Sequence, residues 1–535
     1  MSNLRSQWII PLCFAGIAIA QVQPIYRVGT RLVTVDVTVH SDKGAVKGLS
    51  KEDFILQDKG KTQPIAVFAM TEAGAAPATK PEPLPPNVSS NRMNNGGEMT
   101  QSATVVLFDR LNTPAALDQA NVRTRVLAML TSLKPTDRVG FYSLGTSLTM
   151  VQDFNEDADR MVQAAKRLGS GQGAAPSDAR SQQVDAALKE AMTPIQQQDI
   201  RLRVPTTQQA LQTIARHLAG IPGRKNLVWV LSDFPLTYGE DASRRANYDA
   251  EVALAGSIMA DANVAVYPMD PRGVTTSSST SSGATNDNSS GAEQAGRLMK
   301  GANAASSSST TALGQSGTET VDSIAKATGG TAYHNTNDLA GDVRKVLAES
   351  EVSYTLGFYV EDKALDGKSH DLTVKLVNKP ETKGATPRYK KSYMATPPQA
   401  ALKQRPGLSD LIRDAFDATE VGVMAATAPD PNKPGMNLVQ VRVTLGDVQF
   451  EHRADKWVGA IELGMAIEDM NGKATNAVTV PTPLNFSDEQ LKKGLVSGMI
   501  IDSSAPAPAQ PGRLRIVILD KTSGAAGSVR IPISK

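Results

Sequence analysis

The sequence predicts a multidomain chain: an α/β domain on a doubly wound parallel sheet, with a small N-terminal β module before it and a C-terminal β-sandwich after it. Three observations carry that prediction. At 535 residues the chain exceeds what one hydrophobic core organises, and its length suggests about three domains. Between residues 102 and 394, short continuous apolar runs alternate with helical periodicity, the mark of strands buried on both faces and joined by crossover helices. From Asn437 onward, strand-like runs and turns dominate, with one short helical or curved stretch at Ser487–Leu495.

The elements follow in order. Residues 25–70 read as the β module: Leu32–Val39 is a β-branched run, Asp42-Lys43-Gly44 a turn, and Phe54–Gly60 with Gln63–Ala69 a hairpin. Residues 71–101 lose apolar periodicity and read as a linker. In the α/β domain, 102–394, Val105–Phe108 is a continuous apolar run ending at Asp109, followed by a helix over Pro114–Leu133. Val139–Leu144 and Ser147–Val151 are further strands, Asn155–Leu168 a helix, and Thr206 or Thr207 caps a helix running to Leu218. Leu227–Ser232 is a second buried-type strand, ending at Asp233, and Asn263–Tyr267 a third. A Ser/Thr/Gly/Ala/Asn-rich insertion occupies 272–317, and a β extension occupies 352–394. A linker over 395–434 leads to the sandwich at 435–535.

Composition narrows the function classes. Lys+Arg is 56 against 54 Asp+Glu, so no net charge draws the molecule to nucleic acid or acidic lipid. Aromatics at 4 % are too sparse for stacking platforms. Arg5, the apolar run Trp8–Ala20 and the small residues Ala18 and Ala20 predict a secretory signal peptide over 1–20, with an uncleaved anchor as the alternative. Cys13 is the sole cysteine and lies within it, so disulfides, thiolate nucleophiles and Cys-ligated zinc are excluded from the mature chain. No later run is apolar enough for a membrane span, and the expected location is the periplasm, the outer envelope or the medium.

An ordered set of segments carries a family resemblance. These include Val46-Lys47-Gly48-Leu49-Ser50-Lys51-Glu52-Asp53-Phe54, Phe108-Asp109-Arg110-Leu111-Asn112-Thr113, the stretch from Leu218 to Phe234, Asn263–Asp270, and Tyr354-Thr355-Leu356-Gly357-Phe358-Tyr359. In that order they resemble the von Willebrand factor A-related proteins common in Acidobacteria. The resemblance implies a metal-ion-dependent adhesion site: Asp-x-Ser-x-Ser on one loop, a Thr from a second and an Asp from a third. Mapped onto this chain, the ligands are Asp109, Thr113, Thr206 or Thr207, and Asp233, holding Mg²⁺ or else Mn²⁺ or Ca²⁺. Leu111 stands where the middle serine belongs and cannot ligate, while Arg110 brings a positive charge beside the site. The alternative is that Asp109 and Asp233 cap loops and helix starts without metal.

Other chemistry has less support. Asp153, Asn155, Asp157 and Asp159 follow calcium-loop spacing, but Ala158 and Ala164 occupy the positions that need Gly and Glu. His217 and His334 have no partner at ligand spacing, and no nucleophile elbow or Walker spacing is present. The leading expectation is an exported protein-interaction or adhesion module, not an enzyme, whose partner is an envelope or extracellular protein. A structural scaffold is one alternative; a metal-dependent hydrolase or an enzyme's accessory subunit is the other.

Overall fold

Alternation of valine with polar residues organises the first strand: Val33, Val35, Val37 and Val39 share one face and are all buried. A computed structural model describes residues 30–72, 84–92, 103–113, 119–134, 137, 139–154, 158–170, 176, 178–193, 200–221, 223–232, 237–238, 246–247, 249–272, 321–397, 402, 405–469, 472–508 and 510–533. The expected signal peptide, most of the 71–101 linker, Pro114, Asp233 and all but the first residue of the 272–317 insertion lie outside them.

The chain runs through β1 (Thr30–Ser41), β2 (Phe54–Asp58), β3 (Lys61–Gln63), β4 (Val67–Glu72) and β5 (Val88–Ser90). It continues with β6 (Ala103–Asp109), α1 (Gln119–Thr131), β7 (Val139–Leu144), β8 (Leu148–Gln152), α2 (Ala158–Ser170), α3 (Ala179–Ala191) and α4 (Ile200–Ala219). Then come β9 (Lys225–Val230), α5 (Asp249–Asp261), β10 (Val264–Met269), α6 (321–328) and α7 (Leu339–Glu349). The return is β11 (Val352–Glu361), β12 (Ser369–Leu376), β13 (Thr386–Arg388) and β14 (Ser392–Met394). Last are α8 (Leu408–Arg413), β15 (Val423–Pro429), β16 (Met436–Val443), β17 (Lys456–Glu468), β18 (Ala474–Phe486), α9 (Asp488–Ser497), β19 (Met499–Pro506), β20 (Gly512–Asp520) and β21 (Ala526–Ile533).

Three packed bodies result. In the first, the sheet β13-β1-β11-β4 faces the sheet β14-β12-β2-β3 across a core that includes Val35, Leu56, Tyr354 and Phe358. The expected N-terminal module and the expected extension are therefore one sandwich: β1 pairs with β11 from Thr30↔Glu361 to Val37↔Tyr354. In the second, β9 lies between β10 and β6, β7 follows β6, and β8 closes the edge. Val106, Phe108, Val228 and Val230 face α1, α2, α3 and α7, while Val105, Leu107, Leu227 and Trp229 face α4, α5 and α6. In the third, the sheet β19-β16-β15-β5 covers the sheet β18-β17-β20-β21 over Val441, Leu463, Ile516 and Ile531. Each such buried aliphatic side chain contributes about 1.5–3 kcal/mol relative to exposure.

The expected fold class and the von Willebrand factor A-type assignment are corrected. The chain is a multidomain α/β assembly in which antiparallel sheets predominate, not one parallel core with appendages. Among the described residues, parallel ladders join only β6 to β7, β6 to β9 and β9 to β10, and even that sheet ends in the antiparallel β8. The other sheets among the described residues are antiparallel throughout. The physical reason is the period-2 burial of strands such as β12 and β16, which cover one face only and favour antiparallel pairing. The linkers are corrected too. Residues 395–434 hold α8 and β15, and residues 71–101 hold β5, which pairs with β15 from Met424↔Ser90 to Ala426↔Val88.

Candidate functional site

The apolar run of β6 ends by placing Asp109 at the carboxyl end of the parallel strands, the usual ligand position in such sheets. Asp109 is fully buried. Its Oδ1 accepts a hydrogen bond from the Asn112 backbone N–H (2.9 Å), and its Oδ2 accepts from Asn112 Nδ2 (2.7 Å) and Trp229 Nε1 (2.9 Å). Asn112 Nδ2 also donates to Thr207 Oγ1 (2.8 Å). Arg203 on α4 donates to Asn112 Oδ1 from Nε (3.1 Å) and Nη2 (3.0 Å). The Thr113 hydroxyl turns back to the Asp109 backbone carbonyl (2.7 Å). Burial pushes the Asp109 carboxyl up from its ordinary 3.8, while the Asn112 and Trp229 hydrogen bonds and the Arg203 charge pull the other way.

These residues do not fit a divalent cation, and the expected metal site with its Mg²⁺, Mn²⁺ or Ca²⁺ is corrected. Both Asp109 oxygens are engaged by protein donors, and the Thr113 hydroxyl is spent on a backbone carbonyl. Arg203 places a guanidinium in the same network, where a cation would meet repulsion. Leu111 packs into the apolar core beneath. Thr206 and Thr207 do not cap a helix, because α4 begins earlier, at Ile200, and runs through Pro205. Among the described residues no three His, Cys, Asp or Glu side chains are grouped to hold a metal. Asp233 lies outside the described residues.

Arg110 turns away from Asp109. Its Nε donates to Ser143 Oγ (3.1 Å) and its Nη1 to the carbonyls of Glu190 (3.0 Å) and Thr193 (2.7 Å), closing the end of α3. Gly145 makes room for it, since a Cβ there would stand 2.8 Å from Nη2. In the discounted calcium loop, Asp153 Oδ1 accepts from the Phe154 N–H (2.8 Å) and from the Tyr142 hydroxyl (3.2 Å). Sequence reasoning missed Arg203 and Trp229. No motif marks them, although Trp229 inside a buried-type strand needs a partner for its N–H.

Elsewhere, the C-terminal sandwich has an edge strand in each sheet, β18 in one and β19 in the other. β18 pairs with β17 alone among the described residues, carries Pro481 and Pro483, and its ladder slips between Met465 and Ile467. β19 pairs with β16 in unbroken register, Met436↔Pro506 to Val443↔Met499, and its other edge has no strand partner among the described residues. Within β19 Ile500 is 47 % exposed, and Val496, on α9 just before it in the chain, is 82 % exposed.

No protein-family model matches the chain, and no curated protein matches it. Among solved structures, the PilB minor pilin from Streptococcus sanguinis is similar over 47 % of this chain at 10 % identity and a TM-score of 0.27. The pilus adhesin SpaC from Lactobacillus rhamnosus GG is similar over 90 % of it, at 10 % identity and a TM-score of 0.25. An aerotolerance-related membrane protein from Bacteroides fragilis is similar over 47 %, at 11 % identity and a TM-score of 0.22. The chain spans 62 % of the pilin, 57 % of the adhesin and 98 % of the membrane protein. At these scores none carries a functional argument. No family model supports the resemblance read from the sequence, and the mostly antiparallel sheet topology corrects it. Among the described residues, no helix is long and apolar enough to cross a membrane.

Proposed function

We propose that this chain is an exported, non-catalytic protein-binding component that takes up an extended segment of an envelope or extracellular protein along the free edge of β19. The single observation behind the reading is an eight-residue edge strand in unbroken register that carries exposed Ile500 and follows exposed Val496 in the chain. Natural sandwiches protect such edges with prolines, bulges or charge. β18 has two prolines and a register slip, whereas β19 has one charge, Asp502, and no proline before Pro506. A partner strand would gain main-chain hydrogen bonds there, and the two apolar side chains would select its sequence. Export rests on the Trp8–Ala20 run and on the single cysteine, Cys13.

The test is selection of linear peptides on the mature protein, followed by calorimetry and amide exchange. Selected peptides should protect residues 499–506, and Ile500→Lys should weaken them about tenfold, equivalent to about 1.4 kcal/mol. Peptides that instead protect the loops after β6 and β9, with Ile500→Lys binding unchanged, would defeat the reading.

A further inference from the structure

The join between the α/β body and the C-terminal sandwich contains a buried histidine. The segment between α8 and β15 inserts Phe416 into the α/β core, where its ring lies 4.7 Å from Tyr142 and 5.3 Å from His217. Around it, Asp414 accepts from Arg216 Nη2 (2.8 Å) and from the Thr213 hydroxyl (2.9 Å). Thr419 caps the end of α4: its N–H donates to the Arg216 carbonyl (3.0 Å) and its hydroxyl to the His217 carbonyl (2.9 Å).

His217 sits at the centre of this contact, 6 % exposed. Its Nδ1 is 2.7 Å from the Asp417 carbonyl oxygen, and its Nε2 is 3.5 Å from Asp153 Oδ1. Both facing atoms are acceptors. A neutral imidazole has one donor and one lone pair, so in either tautomer it would turn a lone pair toward an oxygen. The neutral Nδ1–H tautomer keeps the Asp417 bond but leaves the buried Nε2 without a hydrogen bond, whereas the imidazolium adds the attraction of the Asp153 carboxylate 3.5 Å away. The other charged and titratable groups around it are accounted for. Tyr142 donates to Asp153 (3.2 Å), Arg216 pairs with Asp414, and the Asp417 carboxylate pairs with Arg515 on β20 and Arg530 on β21 (2.9 Å). Asp417 thus ties its side chain to the sandwich and its carbonyl to His217.

We propose that His217 is a proton-operated latch: as imidazolium it holds the 414–419 segment, and with it the C-terminal sandwich, against the α/β body, and on losing its proton it loosens that join. Burial opposes the charged ring, but the Asp153 and Asp417 contacts outweigh it and hold the ring above its ordinary 6.5. A raised folded value means the latch is fully closed below 6.5 and weakens as pH rises through the folded value.

The experiment uses the whole mature protein with isotopically labelled histidine. His217 is titrated by NMR, and amide protection of residues 414–420 is followed by exchange from acid to alkaline pH. His217 should titrate above 6.5, and opening of 414–420 should rise about tenfold per pH unit from 6.5 up to the folded value, then level off. Asp153→Asn removes the facing charge and should move both transitions to lower pH. His217→Gln should leave 414–420 open at every pH; if that variant fails to fold, the wild-type titration and Asp153→Asn decide the matter. A His217 that titrates at or below 6.5, or protection of 414–420 that stays flat across the window, would overturn the latch.

Discussion

Replacing Asn112 with alanine tests the network at the end of β6 most directly. The side chain, fully buried, donates to Asp109 (2.7 Å) and Thr207 (2.8 Å) and accepts twice from Arg203 (3.1 and 3.0 Å). A hydrogen bond between neutral groups contributes about 1 kcal/mol net and one to a charged group about 1.5–3 kcal/mol. The contacts with Asp109 and Arg203 are of the second kind. Truncation leaves both charged groups short of partners in a buried site, so the whole loss is about 4 kcal/mol, allowing for relaxation around the smaller side chain. Trp229 reports on the same site, because its indole N–H donates to Asp109 (2.9 Å). In a Trp457→Phe background it becomes the sole tryptophan after residue 20, so urea unfolding followed by fluorescence isolates the α/β body. A loss below about 1 kcal/mol would mean that the polar network does not hold the strand ends together. Asn112→Asp adds a sharper check, since it places a second carboxyl where Nδ2 now stands, 2.7 Å from Asp109 Oδ2. Crowding raises the folded pKa of one of the two, so that variant's deficit should be largest at neutral pH and ease as pH falls.

Three further expectations follow from the packing. Lys225 is buried and held at about 8, chiefly by burial, with Asp36 raising it and Lys390 lowering it. Because the folded value lies below the unfolded 10.5, stability rises with pH between about 8 and 10.5, by about 3 kcal/mol, and Lys225→Met, which also gives up the Nζ bond to the Ile221 carbonyl (2.9 Å), should abolish that rise in denaturant melts. A Cβ on Gly220 would overlap the Thr419 carbonyl, so Gly220→Ala should cost about 1–3 kcal/mol and raise amide exchange in 414–420 without disturbing the N-terminal sandwich. Chelation of divalent ions should leave the urea midpoint of the α/β body unchanged; a midpoint that drops with EDTA and returns with Mg²⁺ would contradict the network drawn around Asp109.

Local pattern made some of this legible and topology hid the rest. The run Val105–Phe108 and the alternation over Leu32–Val39 locate β6 and β1, because burial on two faces or one leaves a readable period. The pairing of β1 with β11 is not local: Leu49 N–H reaches the Tyr354 hydroxyl across 305 residues, and nothing in either segment names the other. β5 is three residues in a proline-rich stretch, too short to carry a period. Thr206 and Thr207 carry cap-type side chains, which places the start of α4 too late; the helix begins at Ile200 and its first turns accommodate Pro205. At the candidate site, Asp109 and Thr113 do come together with Thr207, but Asn112 and Arg203 supply the contacts a cation was expected to make. A guanidinium arriving from a helix ninety residues away has no sequence spacing by which to be recognised.

The pairing of β1 with β11 also sets an order of events during biogenesis. Strands β1 and β4, made early, stand with unpaired edges until the chain has been extended past Glu361, so the first sandwich closes only after the whole α/β body has been synthesised. Closure over so long a loop is slow, and valine-rich β1 is the kind of segment that pairs with other chains while it waits. A truncated product ending at the α7 boundary, Glu349, would keep the α/β helices and strands but leave that edge permanently exposed. Such a fragment should aggregate where the full chain does not, and a holding chaperone would be needed most between the appearance of residue 41 and that of residue 361.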